Sequence, residues 1–190
     1  FEAAAQVTLL NTGRAADRTL GDVHPVGNPH INMDPLRMAE VGVALAERLV
    51  ELDPANTHIY RARAAAFRER VVQRIERWQV ALHGAPGVVS YHLDLVYLLD
   101  RFGVLHLGVL EPIPGVPPTG AHLKALTDNL AGGRGVIMFT TYQSEQAPGS
   151  LARALGWPVV QLQLEPQLDA DGDDYLDHID AWVRAVAGSD

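Results

Sequence analysis

The histidine and carboxylate side chains of this 190-residue sequence are its main candidates for metal binding and acid–base chemistry. The sequence has 8 histidines and 23 Asp and Glu residues, but it has no cysteine. Disulfides, thiolate metal ligands and cysteine nucleophiles are therefore excluded. Any metal site must use imidazole nitrogen and carboxylate oxygen, which are ordinary ligands of divalent transition metals.

Three of these side chains directly follow predicted strands. They are His92 after 88–91, Glu111 after 104–110 and Glu165 after 158–164. In a parallel sheet the carboxyl ends of the strands share one edge, and ligands bind beyond that edge. A single histidine after a strand is usually a surface or capping residue. The shared edge is therefore the reason to consider His92 and Glu165 as ligands.

Two loops are rich in proline and glycine. The first covers 21–30, contains His24 and His30, and ends shortly before Asp34. Such a loop can hold an imidazole in a fixed place, as a metal site requires, but the simpler interpretation is a rigid turn that leads into a capped helix. The second loop, 111–123, must be extended because its prolines exclude helix. By itself it indicates only an ordered loop before a helix.

Two helices, followed by alternating strands and helices, are predicted to position these residues. Asp34 and Asp53 are each followed by proline, the pattern of an N-cap and a first helical residue. Apolar residues then recur every three or four positions, and the second helix should extend to Leu82, or roughly 40 Å. From Gly84 onward, four apolar strands alternate with helices, which implies right-handed βαβ units. The predicted fold class is α/β, a four-stranded mostly parallel sheet with helices on both faces, preceded by a long linker helix.

This pattern predicts three segments along the chain. Residues 1–33 form an irregular N-terminal segment that includes the loop 21–30 with His24 and His30, here called the metal-site loop. Residues 34–83 form the helix pair that includes the long helix, and residues 84–190 form a C-terminal α/β unit.

The overall charge and the missing motifs exclude several classes of function. The formal net charge of −8 argues against nucleic acid or an anionic membrane as the main partner. No apolar run approaches the roughly 20 residues of a membrane span. Neither a Walker A motif nor a GxGxxG motif follows a predicted strand, and Ser90 lacks the context of a nucleophile elbow.

Four ordered motifs resemble those of the zinc/manganese ABC-transporter substrate-binding proteins. Residues 28–35 (NPHINMDP) resemble the family motif Asn/Asp-Pro-His-x-Trp-x-Asp-Pro, with Asn32 in place of tryptophan. The other motifs are 51–56 (ELDPAN), 90–92 (SYH) followed by 97–103, and 111–123 (EPIPGVPPTGAHL). The resemblance covers nearly the whole chain from Gly21 onward.

The resemblance implies a metal site at the interface of a two-lobed receptor. The residues of this chain that match the family's ligands are His30, His92 and Glu165, with Asp169 as the alternative carboxylate and His24 as a reserve ligand. A further histidine would come from the first lobe. Two imidazoles and a carboxylate without sulfur suit Zn²⁺, and they suit Mn²⁺ less well.

The implied function is capture of a divalent metal ion and its delivery to the membrane permease of an ABC importer. Such a protein is not an enzyme, binds no nucleic acid, and lies in the periplasm or another extracytoplasmic space. The resemblance also implies that a first lobe, and any membrane anchor, would precede Phe1. The alternatives are a metal-dependent hydrolase and an adhesin-like interaction protein.

The same reasoning predicts self-association of this chain. Without the first lobe, apolar side chains near the metal-site loop should be exposed or covered by another copy. These side chains are Ile31, Met33 and Leu36.

Overall fold

The computed structural model describes residues 1–11 and 26–188. The helices are α1 (Pro35–Leu52), α2 (Thr57–Leu82), α3 (Val96–Phe102), α4 (Gly120–Leu130), α5 (Gln146–Leu155) and α6 (Gly172–Ala187). The strands are β1 (Gly87–Ser90), β2 (His106–Val109), β3 (Gly135–Thr140) and β4 (Val159–Leu162). Single 3-10 turns occupy Ala4–Gln6, Ile31–Met33 and Pro54–Asn56. Within the described ranges, none of the helices combines the length and the apolarity needed to cross a bilayer.

The sheet has its four strands in the order β2-β1-β3-β4, and all neighbouring strands are parallel. Ser90 of β1 lies beside Met138 of β3 and Val109 of β2. The chain leaves β1 for β2 and then crosses to β3 on the other side of β1. The carboxyl ends of β1 and β3 therefore form the topological switch point, where ligands bind in open α/β sheets. The sheet confirms the predicted α/β fold class.

Two apolar clusters cover the two faces of the sheet. Val88 and Met138 point to one face, where they pack with residues of α2, α3 and α6. Val89 and Ile137 point to the other face, where they pack with residues of α4 and α5. Because β1 and β3 are buried on both faces, their sequences are nearly continuous in apolar residues, as is typical of parallel strands. The prediction of helices on both faces is confirmed.

The helix pair begins at the predicted cap. The Asp34 carboxylate accepts hydrogen bonds from the backbone N–H groups of Leu36 (3.0 Å) and Arg37 (3.4 Å). Helix α2 has 26 residues, which corresponds to about 39 Å. Its residues Val71 and Trp78 belong to the same core cluster as the sheet. The division of the chain after residue 83 stays a prediction.

The turn Ile31–Met33 corrects one expectation. Ile31 is 5% exposed and Met33 is 0% exposed, and Leu36 is half-buried. The turn packs into the core cluster, and the Tyr175 hydroxyl of α6 donates a hydrogen bond to the Asn32 carbonyl (2.8 Å). The prediction that Ile31 and Met33 are exposed or covered by another copy was wrong, because the lobe itself buries them.

Helix α3 begins at Val96 and is separated from β1 by residues 91–95. Two backbone carbonyl groups that could accept the first hydrogen bonds of an earlier helix start accept hydrogen bonds from side chains instead. The Ser90 hydroxyl donates to the His92 carbonyl (2.6 Å), and the Asn28 amide donates to the Leu93 carbonyl (2.6 Å). The segment between β1 and α3 is therefore a bend, and it carries the His92 side chain beyond the end of the strand.

Candidate metal centre

Two imidazoles lie close together, edge to face, at the switch point of the sheet. The ring centroids of His30 and His92 are 5.4 Å apart, and the ring planes are inclined by 76°. Two imidazoles bound through nitrogen to one tetrahedral zinc ion would have centroids about 5 Å apart. His30 directly precedes the turn before α1, and His92 lies two residues beyond β1. Tertiary structure has thus brought together two histidines that are 62 positions apart in the sequence.

The His30 ring is held by Asn28. The side-chain oxygen of Asn28 lies 2.8 Å from His30 Nδ1 and accepts a hydrogen bond from the His30 backbone N–H (2.9 Å). The amide nitrogen of Asn28 donates to the Leu93 carbonyl, which directly follows His92. Asn28 is 6% exposed. One buried amide therefore joins the two loops that carry the histidines.

The His92 ring is held by Glu111. Glu111 Oε2 lies 2.8 Å from His92 Nδ1, and Oε1 accepts a hydrogen bond from the Gly115 backbone N–H (3.1 Å). Glu111 follows β2, which is the neighbour of β1 in the sheet. The sequence placed Glu111 at this edge but did not identify it as the partner of His92.

A cavity of about 400 Å³ opens beside the two rings. It lies beyond the carboxyl ends of β1, β2 and β3, where ligand sites of parallel sheets are expected. Its lining residues are His30, Tyr91, His92, Glu111, Pro114, Gly115, Tyr142, Gln143 and Ser144.

Burial raises the pKa of two tyrosines that line this cavity, and nearby acidic side chains add to the effect. Burial, and then the negative charge of Glu111, raises the pKa of Tyr91. Partial burial is also the largest cause of the raised pKa of Tyr142, and the charges of Asp94, Glu165 and Glu111 add to it. The electrostatic environment at this edge of the sheet favours a cation.

Asp94 is a buried carboxylate that the sequence pattern did not reveal as part of the site. Its side chain is 2% exposed, and burial raises its pKa from 3.8 to about 6, although the neighbouring His92 and a hydrogen bond from Gln143 (3.3 Å) favour the charged form. The oxygen of the Gln143 amide in turn accepts from the Thr140 backbone N–H (2.8 Å). The available signal was an aspartate within the otherwise apolar run that follows His92.

Glu165 lies outside the cavity. It is exposed on the segment after β4, and its charge contributes to the raised pKa of Tyr142, which lines the cavity. β4 is separated from β1 by β3, so its carboxyl end starts farther from His92. Asp169 is exposed and lines a different cavity, together with Asp174. His24 lies outside the described residues.

The structure thus assembles part of the predicted ligand set. It brings His30 and His92 together, places Glu111 against His92, and leaves Glu165 apart. In the part of the chain that the structure describes, no group of three or more histidine and carboxylate side chains is arranged to hold an ion.

A parallel α/β lobe with two facing imidazoles and acidic residues above its switch point defines a ligand-binding class of protein. The sequence model of the zinc-uptake complex component A family, a periplasmic family abbreviated ZnuA, matches residues 1–188. The chain belongs to this family, which confirms the resemblance predicted from the motifs. The family is a class of metal-binding proteins of ABC transporters, not a class of enzymes.

Solved structures of similar fold include metal complexes. FpvC from Pseudomonas aeruginosa in complex with Mn²⁺ is 27% identical, with a TM-score of 0.80 over 98% of this chain and 68% of that chain. A mutant of the laminin-binding adhesin Lmb from Streptococcus agalactiae is 24% identical, with a TM-score of 0.79 over 99% of this chain and 69% of that chain.

A third similar structure is a Zn(II)-bound mutant variant of AdcAII from Streptococcus pneumoniae. It is 21% identical, with a TM-score of 0.75 over 98% of this chain and 70% of that chain. At such identities Lmb and AdcAII show the shared fold alone. Comparison with curated protein sequences gave no significant match.

Proposed function

We propose that this protein captures a divalent transition metal ion, with zinc as its cargo, for the membrane permease of an ABC importer. The observation that supports this most strongly is the 5.4 Å approach of the His30 and His92 rings in a lobe of this family. Capture and release make and break no covalent bond of a substrate, so the proposed role is not enzymatic. We place the protein in the periplasm or another extracytoplasmic space, as its family implies.

His30 and His92 are the proposed nitrogen ligands, and Glu165 is the proposed carboxylate ligand. Glu165 lies outside the cavity on the exposed segment after β4, so this assignment requires that segment to move toward the rings when the ion binds. Asp169 is the alternative carboxylate. With three protein ligands, water takes the fourth position of a tetrahedral zinc ion.

Zinc is preferred to manganese because of the two imidazoles. Imidazole nitrogen suits Zn²⁺, whereas Mn²⁺ favours carboxylate, carbonyl and water oxygens. Manganese is the alternative cargo, because the similar protein FpvC has a structure in complex with Mn²⁺. Competition between the two ions for the metal-free protein, followed by elemental analysis, decides between them. Retention of manganese in the presence of equal zinc would contradict the preference.

The ligand assignment is tested by zinc titration of single variants against a chromophoric chelator. His30→Ala and His92→Ala should each weaken zinc binding by more than about 100-fold, because the loss of indirect partners alone typically costs 10–100-fold. His83→Ala is the matched control, since His83 is exposed and follows α2 at the opposite end of β1. Unchanged affinity in either ligand variant would refute the site.

The carboxylate is tested separately. Glu165→Gln should weaken zinc binding, and Asp169→Asn should leave it unchanged. The reverse result would assign the carboxylate to Asp169. Equal affinities in both variants and the parent protein would show that neither residue binds the ion.

The two alternative functions predict different results. A metal-dependent hydrolase needs an open coordination position and a placed general base, and zinc-loaded protein would then hydrolyse ester or peptide substrates. An adhesin-like protein would bind a matrix protein; Lmb is described as a laminin-binding adhesin, and its similarity to this chain is one of fold. Immobilised laminin with the metal-free and zinc-loaded protein tests that alternative directly.

Self-association and delivery to a permease stay predictions. Burial of Ile31 and Met33 removes the original reason to expect self-association, and light scattering at several protein concentrations measures it. Zinc uptake by a strain that depends on this protein, with the parent chain and His92→Ala compared, tests delivery.

A further inference from the structure

We propose that Asn28 and Glu111 are positioning residues that fix the ring tautomers of His30 and His92, so that both imidazoles present Nε2 to the same ion. This inference rests on the proposed metal-binding function. It assigns a role to the two proline- and glycine-containing loops, which the ligand assignment alone does not explain.

The orientation of the Asn28 amide is determined by two backbone groups. The atom that faces the His30 backbone N–H at 2.9 Å must be the oxygen, because an N–H needs an acceptor. The atom that faces the Leu93 carbonyl at 2.6 Å must be the nitrogen, because a carbonyl needs a donor. The same Asn28 oxygen lies 2.8 Å from His30 Nδ1. In a neutral imidazole, Nδ1 must therefore carry the proton and Nε2 must be the basic nitrogen.

The backbone of Asn28 is itself held in place. Its N–H donates to the Leu10 carbonyl (2.8 Å), and its carbonyl accepts from the hydroxyl of Tyr97 (2.5 Å), which is fully buried. The preceding Gly27 has φ +141°, and a Cβ there would lie 2.7 Å from Leu9 Cβ. The close approach to Leu9 requires glycine before Asn28.

Glu111 determines the tautomer of His92 in the same way. An ionised carboxylate only accepts hydrogen bonds, so His92 Nδ1, at 2.8 Å from Oε2, must be the donor. The second oxygen is occupied by the Gly115 N–H, and Gly115 has φ +80°, a backbone conformation that favours glycine. The loop that begins at Glu111 thus folds back on its own carboxylate and holds it against the ring.

The two partners have different charges, and this leads to a further difference between the rings. A carboxylate partner increases the basicity of an imidazole ligand more than a neutral amide does. Glu111 therefore places a charged acceptor behind His92, whereas Asn28 places a neutral acceptor behind His30 and mainly fixes its position. Asn28 also ties His30 to the His92 loop through Leu93, so it controls the separation of the rings.

The test reads the tautomers directly, by nitrogen NMR of the histidine rings in the metal-free protein above neutral pH. Wild-type His30 and His92 should both show a protonated Nδ1 and an unprotonated Nε2. Asn28→Ala should release the His30 tautomer, and Glu111→Ala should release that of His92. Asn28→Asp keeps an acceptor oxygen for the ring and should keep the His30 tautomer, which a merely structural role would not predict.

Zinc titration of the same variants supplies the second readout. Asn28→Ala and Glu111→Ala should weaken zinc binding by about 10–100-fold. Two variants serve as controls: Asn32→Ala removes an amide from the neighbouring turn, and Glu145→Gln removes an exposed carboxylate after β3. Neither control should change the zinc affinity.

The outcomes separate the two proposals. A wild-type Nε2–H tautomer, alanine variants that keep the Nδ1–H tautomer, or alanine variants with unchanged affinity would overturn the assignment of Asn28 and Glu111. Absence of zinc binding in the wild-type protein would overturn the proposed function, whatever the tautomers show.

Discussion

The guanidinium of Arg101 holds the carboxylate of Asp34 between the end of α3 and the start of α1. Arg101 Nε lies 3.0 Å from Oδ1 and 3.2 Å from Oδ2, and the terminal nitrogen lies 2.7 Å from Oδ2. Asp34 is 0% exposed, caps α1, and also contacts the guanidinium of Arg37. Arg37 lies 4.9 Å from the centre of the Tyr97 ring, so this network reaches the residue that binds the Asn28 carbonyl.

The first prediction concerns this network. Asp34→Ala should lower the free energy of unfolding by about 3–5 kcal/mol, because it leaves two guanidinium groups without their buried carboxylate. Asp34→Asn should cost less, since asparagine still caps a helix. Urea unfolding followed by circular dichroism measures both. Asp100→Ala, which removes an exposed carboxylate of α3, is the control; a loss of equal size in it would refute the role of the network.

The second prediction is a pH dependence of stability that arises from Asp94. Because burial raises its pKa to about 6, the folded protein keeps the Asp94 proton between about pH 4 and pH 6, whereas the unfolded chain releases it. The contribution of Asp94 to the free energy of unfolding should therefore fall as the pH rises through this window, by up to about 3 kcal/mol. Asp94→Asn should stabilise the metal-free protein at pH 7 and lose this advantage near pH 4.

Urea unfolding of metal-free wild type and Asp94→Asn at both pH values measures the effect. Asp169→Asn is the control, because Asp169 is exposed. An Asp94→Asn variant that is less stable than the wild type at pH 7 would show that the buried carboxylate is stabilising in its charged form.

The third prediction tests the packing of Trp157 against Gly135, the first residue of β3. A Cβ on Gly135 would lie 2.2 Å from Trp157 Cζ3, so Gly135→Ala must displace the indole ring. We expect a loss of about 1–3 kcal/mol in the free energy of unfolding. The control is Gly120→Ala at the start of α4, where a Cβ meets no atom within 4 Å. It should be neutral or slightly stabilising. Equal unfolding midpoints for the two variants would contradict the packing described for Trp157.

The fourth prediction concerns the loop after Glu111. Gly115→Ala should strain a backbone position with φ +80° and weaken the hydrogen bond from the backbone N–H of residue 115 to the Glu111 carboxylate. Zinc affinity should fall while the unfolding midpoint changes little, because the loop lies outside the core clusters. Pro117→Ala in the same loop is the control. An unchanged zinc affinity in Gly115→Ala would show that the conformation of this loop does not affect the metal site.

Local features of the sequence were enough to predict the elements and the kinds of ligand. The cap at Asp34, the apolar periodicity of α1 and α2, and the alternation of strands and helices depend on neighbours within a few residues, whereas Asp53 precedes a 3-10 turn and does not cap α2 with its side chain. They correctly indicated a parallel α/β sheet after a long helix. The absence of cysteine restricted any metal site to imidazole and carboxylate ligands, and the motif around His30 indicated the family that the comparison confirms.

Tertiary structure decided which of these residues meet. The strand order β2-β1-β3-β4 places Glu111 beside His92 and leaves the end of β4, with Glu165, on the far side of β3. The order of strands depends on how helices cross the two faces of the sheet, and no local pattern specifies it. The burial of Met33 and Asp94, and the contact of Asn28 with both histidine loops, likewise arise from packing between segments that are distant in the chain. Side-chain type is a local property of the sequence, whereas proximity, burial and tautomer depend on the complete set of non-local contacts.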